Sequence, residues 1–266
     1  MEDMALILIT GASDGLGRAL AEDLAAGGHR LLLHGRDARR LAEVAEATGG
    51  ETFTADFSSL TEVRRLAARI AEAHDRLDVL VNNAGIGFHV EGTSRQLSAD
   101  GHELRLTVNY LAPVLLTREL LGLLRRAAPS RVVNVASIGQ QPIDFDDPQF
   151  ERDYTDVAAY CRSKLALICH TRDLAEELEG SGVTVNSIHP ATYMPTAMSR
   201  RSGMEVVDAL EKGVAATRRL VDAPELAEIT GRYFDGEKEA RASEEAYDPD
   251  YRRRLRELTR KMVADV

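Results

Sequence analysis

Six short apolar runs punctuate the chain: ALILIT (5–10), RLLLH (30–34), ETFTA (51–55), DVLVN (78–82), RVVNVAS (131–137) and VTVNSIH (183–189). Several are nearly continuous Val, Ile and Leu, the pattern of strands covered on both faces. Between them lie helical patterns near 15–27, 37–47, 59–74, 100–127 and 156–180. Such alternation predicts βαβ units and a parallel sheet, which right-handed crossovers make doubly wound. RYF (232–234) supplies a seventh strand, and Asp248 followed by Pro249 opens a final helix. The predicted architecture is α/β, a single domain over 1–266 built on a doubly wound parallel sheet of about seven strands. A substrate loop over 190–220 and a C-terminal extension over 236–266 complete it.

Composition narrows the class. The chain has 266 residues, 44% of them apolar, enough for the core of one large α/β domain. A net charge of −10 argues against nucleic acid as a partner. The one dense basic run, YRRRLRELTRK (251–261), also lays Tyr251, Leu255, Leu258 and Met262 along one stripe. It reads as a solvated helix with an apolar face rather than an anion site. Cys161 and Cys169 fall eight residues apart on one predicted helix, too far to bridge. No disulfide framework is implied, and a reducing cytoplasm is the expected compartment. The segment MEDMALILIT reads as neither a signal peptide nor an anchor, and no later run reaches transmembrane length, so no membrane partner is expected.

Candidate chemistry gathers at the strand ends. The first strand runs into TGASDGLGRAL, with Gly11, Gly15 and Gly17 at the strand–turn–helix junction. There the backbone approaches a ligand closely and a helix N-terminus can hold an anion. In the first βα unit this points to a dinucleotide, although the spacing is Gly-x3-Gly-x-Gly rather than Gly-x-Gly-x2-Gly. The second strand ends in HGRD, where a doubly wound fold reads the adenosine ribose. A carboxylate there suits the free 2′-hydroxyl of NAD(H), whereas Arg36 offers a planar fork of donors to a 2′-phosphate. Arg36 favours NADP(H); the adjacent Asp37 keeps NAD(H) possible.

Among 33 basic residues only four are lysines, and one of them, Lys164, follows Tyr160 by four positions in AAYCRSKLAL (158–167). Residues so spaced share a helix face. A phenol titrates near ~10, and a nearby ammonium favours its phenolate. Arginine carries charge too, but its proton is effectively fixed, whereas lysine can hold hydroxyls and pass protons. The pair therefore reads as the proton donor and acceptor that hydride transfer at a carbonyl carbon requires.

TGASDGLG, NNAG (82–85), VNY (108–110), NVAS (134–137) and YCRSK (160–164) occur in that order. On these motifs the chain resembles the short-chain dehydrogenases/reductases in their shorter, single-domain form, over nearly its whole length. The resemblance implies a Rossmann fold and cofactor contacts from Gly11, Ser13, Gly15, Leu16 and Gly17. Further contacts are implied from Asn83, Ala84 and Gly85 and from Tyr160 and Lys164. It also implies that Ser137 bonds the substrate oxygen, that Tyr160 is the acid and base, and that Asn109 bends its helix and holds a water linking Lys164 to solvent. Asp56 resembles the family's adenine contact and reads equally as a helix-capping acid.

The chain departs from the family in two places. After the sixth strand the family usually has Pro-Gly and then a threonine closing over the nicotinamide. HPATYMPTAM (189–198) instead gives Pro190 followed by Ala191, with Thr196 one residue late and Thr192 as the alternative. The stretch IGQQPIDFDDPQFERDYTDVAA (138–159) is longer than usual, and its DF-D segment and the later GRYF are similar to the retinol-dehydrogenase-like branch. Tyr193, Met194, Met198 and Met204 add a flexible apolar wall. The expected activity is an NADP-dependent alcohol dehydrogenase or carbonyl reductase acting on a lipophilic alcohol, ketone or aldehyde. The alternatives are an NAD-dependent alcohol dehydrogenase, a non-catalytic dinucleotide-binding regulator and a sugar-nucleotide epimerase. The family commonly dimerises through helices matching 100–127 and 156–180, and the wide apolar arc of LAPVLLTRELLGLL (111–124) fits a homodimer. The insertion, the methionine loop and the last helix are expected to form an apolar, partly mobile lid.

Overall fold

The apolar runs become strands with both faces covered. Residues 6–10 and 79–82 are buried throughout. The computed structural model describes residues 4–89 and 94–264. Its strands are β1 (Leu6–Thr10), β2 (Arg30–Gly35), β3 (Glu51–Thr54), β4 (Val79–Asn82), β5 (Ser130–Val135), β6 (Val183–His189), β7 (Tyr233–Asp235) and β8 (Lys238–Ala240). They form one sheet in the order β3-β2-β1-β4-β5-β6-β7-β8. The first seven are parallel, and β8 turns back antiparallel on β7. This eighth strand is the departure from the expected seven; three residues with no continuous apolar run carry little strand pattern.

The chain winds outward from β1 to β3, then returns to place β4 on the other side of β1. That reversal opens a crevice at the C-terminal ends of β1 and β4, where doubly wound folds bind ligands. Alternate residues of β1 feed opposite cores. Ile7 and Ile9 pack with α1 (Gly15–Ala26), α2 (Ala38–Thr48) and α8 (Leu210–Asp222). Leu6 and Leu8 face α3 (Leu60–Ala73), α5 (Ala112–Ala127), α6 (Asp156–Glu177) and α9 (Pro249–Ala264). Side-chain caps start the helices at the strand ends: Asp14 accepts from Gly15 N, Asp37 from Arg39 N and Arg40 N, Ser59 from Glu62 N and Thr155 from Ala158 N.

The helix expected over 100–127 is divided. A short α4 (Leu104–Leu106) runs into a π-helical turn at Thr107–Leu111 before α5 begins. The extra residue of that turn directs Asn109 at the loop after β4. Its Oδ1 accepts from Ile86 N at 2.8 Å and its Nδ2 donates to Ile86 O at 3.0 Å.

The arc on which a homodimer was expected lies inside the chain. Val114, Leu115, Leu116, Leu120, Leu121, Leu123 and Leu124 are all buried, and the exposed residues of α5 are Arg118, Glu119, Gly122, Arg125 and Arg126. α5 packs on α3, and α9 lies across α6 and the π-helical turn. In α9, Leu255 and Met262 are buried and Tyr110 bonds Thr259 at 2.6 Å. The basic run is only partly the solvated face it was expected to be. Arg252 is buried and pairs with Asp173 at 2.8 Å and Glu176 at 2.9 Å. The insertion is packed too: Ile143 and Phe150 are buried, and Ile143 N donates to the Tyr251 hydroxyl at 2.6 Å.

Candidate active site

The glycine turn and NNAG hold each other. Thr10 Oγ1 accepts from Asn83 N and Ala84 N at 2.9 and 3.0 Å, while Asn83 Nδ2 donates to Thr10 O at 2.8 Å and Gly11 O at 3.2 Å. Gly11 has φ 69°, and a Cβ on it would stand 2.9 Å from Ala84 Cα. A Cβ on Gly17 would strike the Gly11 carbonyl oxygen and Asn83 Nδ2, so the first turn of α1 sits hard against both segments. Ser13 and Leu16 complete the turn, and Leu16 is buried. Asn83 thus ties the turn to the end of β4.

At the far end of the crevice Arg36 is exposed just beyond β2, and among the described residues no side chain pairs with it. Asp37 is occupied: one carboxylate oxygen caps α2, at 3.0 Å from Arg39 N and 3.1 Å from Arg40 N. Ser13 Oγ lies 3.2 Å from where a Cβ on Gly35 would sit, so the turn and the end of β2 meet here. Asp56 closes a local turn, accepting from Ser58 N at 2.9 Å, and leaves the cap of α3 to Ser59. The capping alternative for Asp56 is thereby corrected, because the helix starts one turn later.

Ser137, Tyr160 and Lys164 converge beyond β5. The Ser137 hydroxyl accepts from Gly139 N at 3.0 Å. Burial pushes the Tyr160 phenol up to about 12, partly opposed by the nearby Ser137 hydroxyl. Burial holds Lys164 down to about 8, with Nζ donating to Val135 O at 2.8 Å and lying 5.7 Å from the Tyr160 ring centre. From the sequence, Lys164 was expected to lower the phenol. A lysine at about 8 has shed its charge before a phenol at about 12 titrates, so burial decides the direction for Tyr160. A Cβ on Gly85 would stand 3.2 Å from Asn109 Oδ1 and 3.6 Å from Lys164 Nζ, so NNAG, Asn109 and Lys164 meet at one point.

The loop after β6 covers the crevice. Pro190 follows the strand directly. Thr192 Oγ1 bonds His189 Nε2 at 3.1 Å, and Thr192 N donates to Asp208 at 2.8 Å. Thr196 caps the short α7 (Ala197–Ser202), and its Cγ2 lies 3.1 Å from where a Cβ on Gly15 would be. Thr196 therefore sits over the glycine turn, while Thr192 is tied to the loop's own base. Met198 packs against Gly87, and Met194 against Gly213 on α8. A cavity of about 350 Å³ lies between the start of the insertion and β7–β8, lined in part by Ile138, Gln140, Tyr233 and Arg241 and by none of Ser137, Tyr160 and Lys164.

Residues 5–206 match the family model for short chain dehydrogenase. The chain belongs to the short-chain dehydrogenases/reductases. It is 36% identical to retinol dehydrogenase 13 of Homo sapiens over 274 aligned positions, spanning 94% of this chain and 81% of that protein. Retinol dehydrogenase 14 of Mus musculus is 36% identical and covers 97% of this chain and 85% of its own. These relatives place the chain in the retinol-dehydrogenase-like branch. Among solved structures, a protein from Mycobacterium paratuberculosis superposes with a TM-score of 0.78 at 27% identity, covering 98% of this chain and 93% of its own. The Pseudomonas aeruginosa RhlG/NADP active-site complex gives 0.70 at 30% identity, covering 87% and 94%.

In this short-chain dehydrogenase, some residues around the candidate site carry no motif in the sequence. Phe88 meets the Tyr160 ring edge-on at 5.3 Å between centres, and buried Arg105, Glu103 and Asp156 with half-buried Tyr154 form a polar cluster whose Asp156 opens α6 one turn before Tyr160. One clue was available: HELRLTVNYLAPVLL puts two charges inside an otherwise apolar helical run.

Proposed function

We propose that this protein transfers a hydride between NADP(H) and the carbonyl or alcohol carbon of a lipophilic small molecule, with Tyr160 as the acid and base. The observation that carries the reading is the Ser137–Tyr160–Lys164 constellation at the switch-point crevice. When bound, the nicotinamide supplies or takes up the hydride. The Ser137 hydroxyl orients the substrate oxygen toward Tyr160. In reduction the buried phenol, held protonated at neutral pH, gives its proton to that oxygen as hydride reaches the carbon. Lys164, placed by the Val135 carbonyl, replenishes the phenol, and Asn109 keeps Gly85 and Lys164 in register.

The glycine turn fits a dinucleotide because its backbone is held open and unencumbered by Cβ atoms. Gly11, Ser13, Gly15, Leu16 and Gly17 would hold the pyrophosphate, with Asn83, Ala84 and Gly85 beyond it. Pro190 and Thr192 or Thr196 would close over the nicotinamide end. An unpaired Arg36 beside an occupied Asp37 favours NADP(H) over NAD(H). Asp56 remains the candidate for the adenine. Apolar residues exposed beside the crevice, Ile138, Met198, Val206 and Val207, fit a lipophilic alcohol, ketone or aldehyde, and the retinol named for the relatives suggests one of that size. Two buried free cysteines suit a reducing cytoplasm. Among the described residues no helix is long and apolar enough to cross a membrane.

The test is NADPH or NADH oxidation with all-trans-retinal and a panel of aliphatic aldehydes and ketones. Turnover is expected with NADPH, and Tyr160→Phe should lower kcat by at least about 100-fold while leaving NADPH affinity within twofold. Wild-type turnover in that variant sinks the assignment of Tyr160. Cofactor binding without turnover on any carbonyl would favour the regulator.

A further inference from the structure

Arg105 is 4% exposed, and its guanidinium reaches three segments at once. Nε donates to Gly87 O at 2.9 Å, NH1 to the Tyr154 hydroxyl at 2.7 Å, and NH2 pairs with Asp156 at 2.7 Å. Tyr154 in turn donates to Glu103 Oε1 at 3.0 Å, and Glu103 caps α4 through Leu106 N at 2.6 Å. Burial raises the Glu103 carboxyl above its ordinary range.

Each partner stands next to a group of the candidate site. Gly87 precedes Phe88, whose ring meets Tyr160 at 5.3 Å and 64°. Asp156 opens α6, four residues before Tyr160 and therefore on the same face. Asp156 also accepts from His89 N at 3.3 Å, closing the loop after β4 onto α6. Arg105 itself lies four residues before Asn109, immediately ahead of the π-helical turn. A lysine could satisfy one of these partners; only a planar fork with donors in three directions satisfies all three.

We infer that Arg105 is a positioning residue, which fixes the Tyr160 phenol by clamping the Gly87–Phe88 backbone, the first turn of α6 and the turn ahead of Asn109 into one unit. The inference rests on the reading of Tyr160 as the acid and base, and nothing in it requires Arg105 to touch substrate or cofactor. A bland alternative is a buried ion pair that only stabilises the fold.

Arg105→Lys keeps the charge and loses the fork. Arg105→Met removes one charge of the Arg105–Asp156 pair, so it is combined with Asp156→Asn as a second, charge-balanced variant. Both are compared with the parent and with the same changes in a Tyr160→Phe background. If Arg105 acts through the phenol, kcat falls about 10- to 100-fold in the parent background with NADPH affinity unchanged, and no further loss occurs when Tyr160 is already Phe. An equal loss in both backgrounds overturns the inference.

A second readout needs no turnover. With the chain's seven tyrosines replaced by 3-fluorotyrosine, the Tyr160 resonance is identified as the one missing in Tyr160→Phe. In folded Arg105 variants that resonance should shift or broaden, and an unchanged line overturns the inference. If Tyr160→Phe itself keeps full turnover, the catalytic reading fails while the fluorine line still reports on Arg105.

Discussion

At the scale of the residue, the site separates into groups that motifs announce and groups that only packing reveals. Tyr160, Lys164, Ser137 and the glycines of the candidate site stand out in the sequence because hydride chemistry and close backbone approach restrict which side chains could serve. Phe88 and Arg105 were not, because an aromatic brace and a buried cation look like ordinary core and surface until the chain is folded. Arg36 supports a sharp expectation. If it grips a 2′-phosphate, Arg36→Ala should weaken NADPH about 10- to 150-fold and leave NADH nearly unchanged, measured by cofactor fluorescence. Equal small effects on both would reverse the preference. Lys164 supports another. A lysine held at about 8 in the folded state and 10.5 unfolded costs on the order of 3 kcal/mol while it must stay protonated. Below pH 8 both states carry the proton and the cost is fully present. Between 8 and 10.5 the unfolded chain binds more protons, so stability rises with pH, and above that the cost is gone. Lys164→Met removes this cost and loses one bond to Val135 O, about 1 kcal/mol. It should therefore raise denaturant stability at pH 7, an advantage that vanishes by pH 10, while abolishing turnover. A variant less stable than wild type at pH 7 would contradict the burial argument.

At the scale of the element, periodicity placed six of the parallel strands to within a residue or two. Continuous Val, Ile and Leu leave few alternatives once both faces of a sheet are covered. It missed the π-helical turn, since one inserted residue barely disturbs an apolar pattern, and it missed β8, whose residues are mostly exposed. The insertion was read as acidic and partly mobile because its apolar anchors, Ile143, Phe145 and Phe150, are spread among acids and prolines. Phe145 meets Tyr251 at 5.0 Å, Arg254 lies 4.3 Å over Phe145, and Gln149 bonds His102 at 2.8 Å. A segment so anchored works as a fixed wall beside Ser137. Tyr251→Phe removes the acceptor of Ile143 N and should lower stability by about 1–3 kcal/mol. Because the insertion leaves the sheet directly after Ser137, the same change is expected to raise KM for a lipophilic carbonyl about threefold or more, with KM for NADPH unchanged. Matched KM values in a folded variant would detach the insertion from the substrate.

At the scale of the whole molecule, the expected homodimer turns on which apolar faces the single chain leaves uncovered. A helix face supports association when its apolar surface lacks a cover. Here the apolar residues of α5 are already buried in the single chain, and α9 lays Leu255 and Met262 against the layer that α6 and the π-helical turn belong to. Polar contacts hold that cover in place. Arg252 and Arg256 both reach Asp173, at 2.8 and 2.6 Å, His102 bonds the Met262 carbonyl at 2.9 Å, and Arg64 donates to Val263 O at 3.0 Å. None of this was visible in the arc of LAPVLLTRELLGLL, because a helix that faces a second copy and one that faces other helices of its own chain carry the same pattern. The chain's own last helix covers part of the α6 side of the face that the dimer reading assigned to a second copy. Light scattering of the intact protein at micromolar concentration should give the monomer mass of 29.1 kDa. Ending the chain before Asp248 uncovers Tyr110, Cys169 and the buried side of α6, and is expected to give a dimer or larger species at the same concentration. An intact chain of twice the monomer mass, or a folded truncated chain that stays monomeric, would show that α9 is not what keeps this face from a second copy.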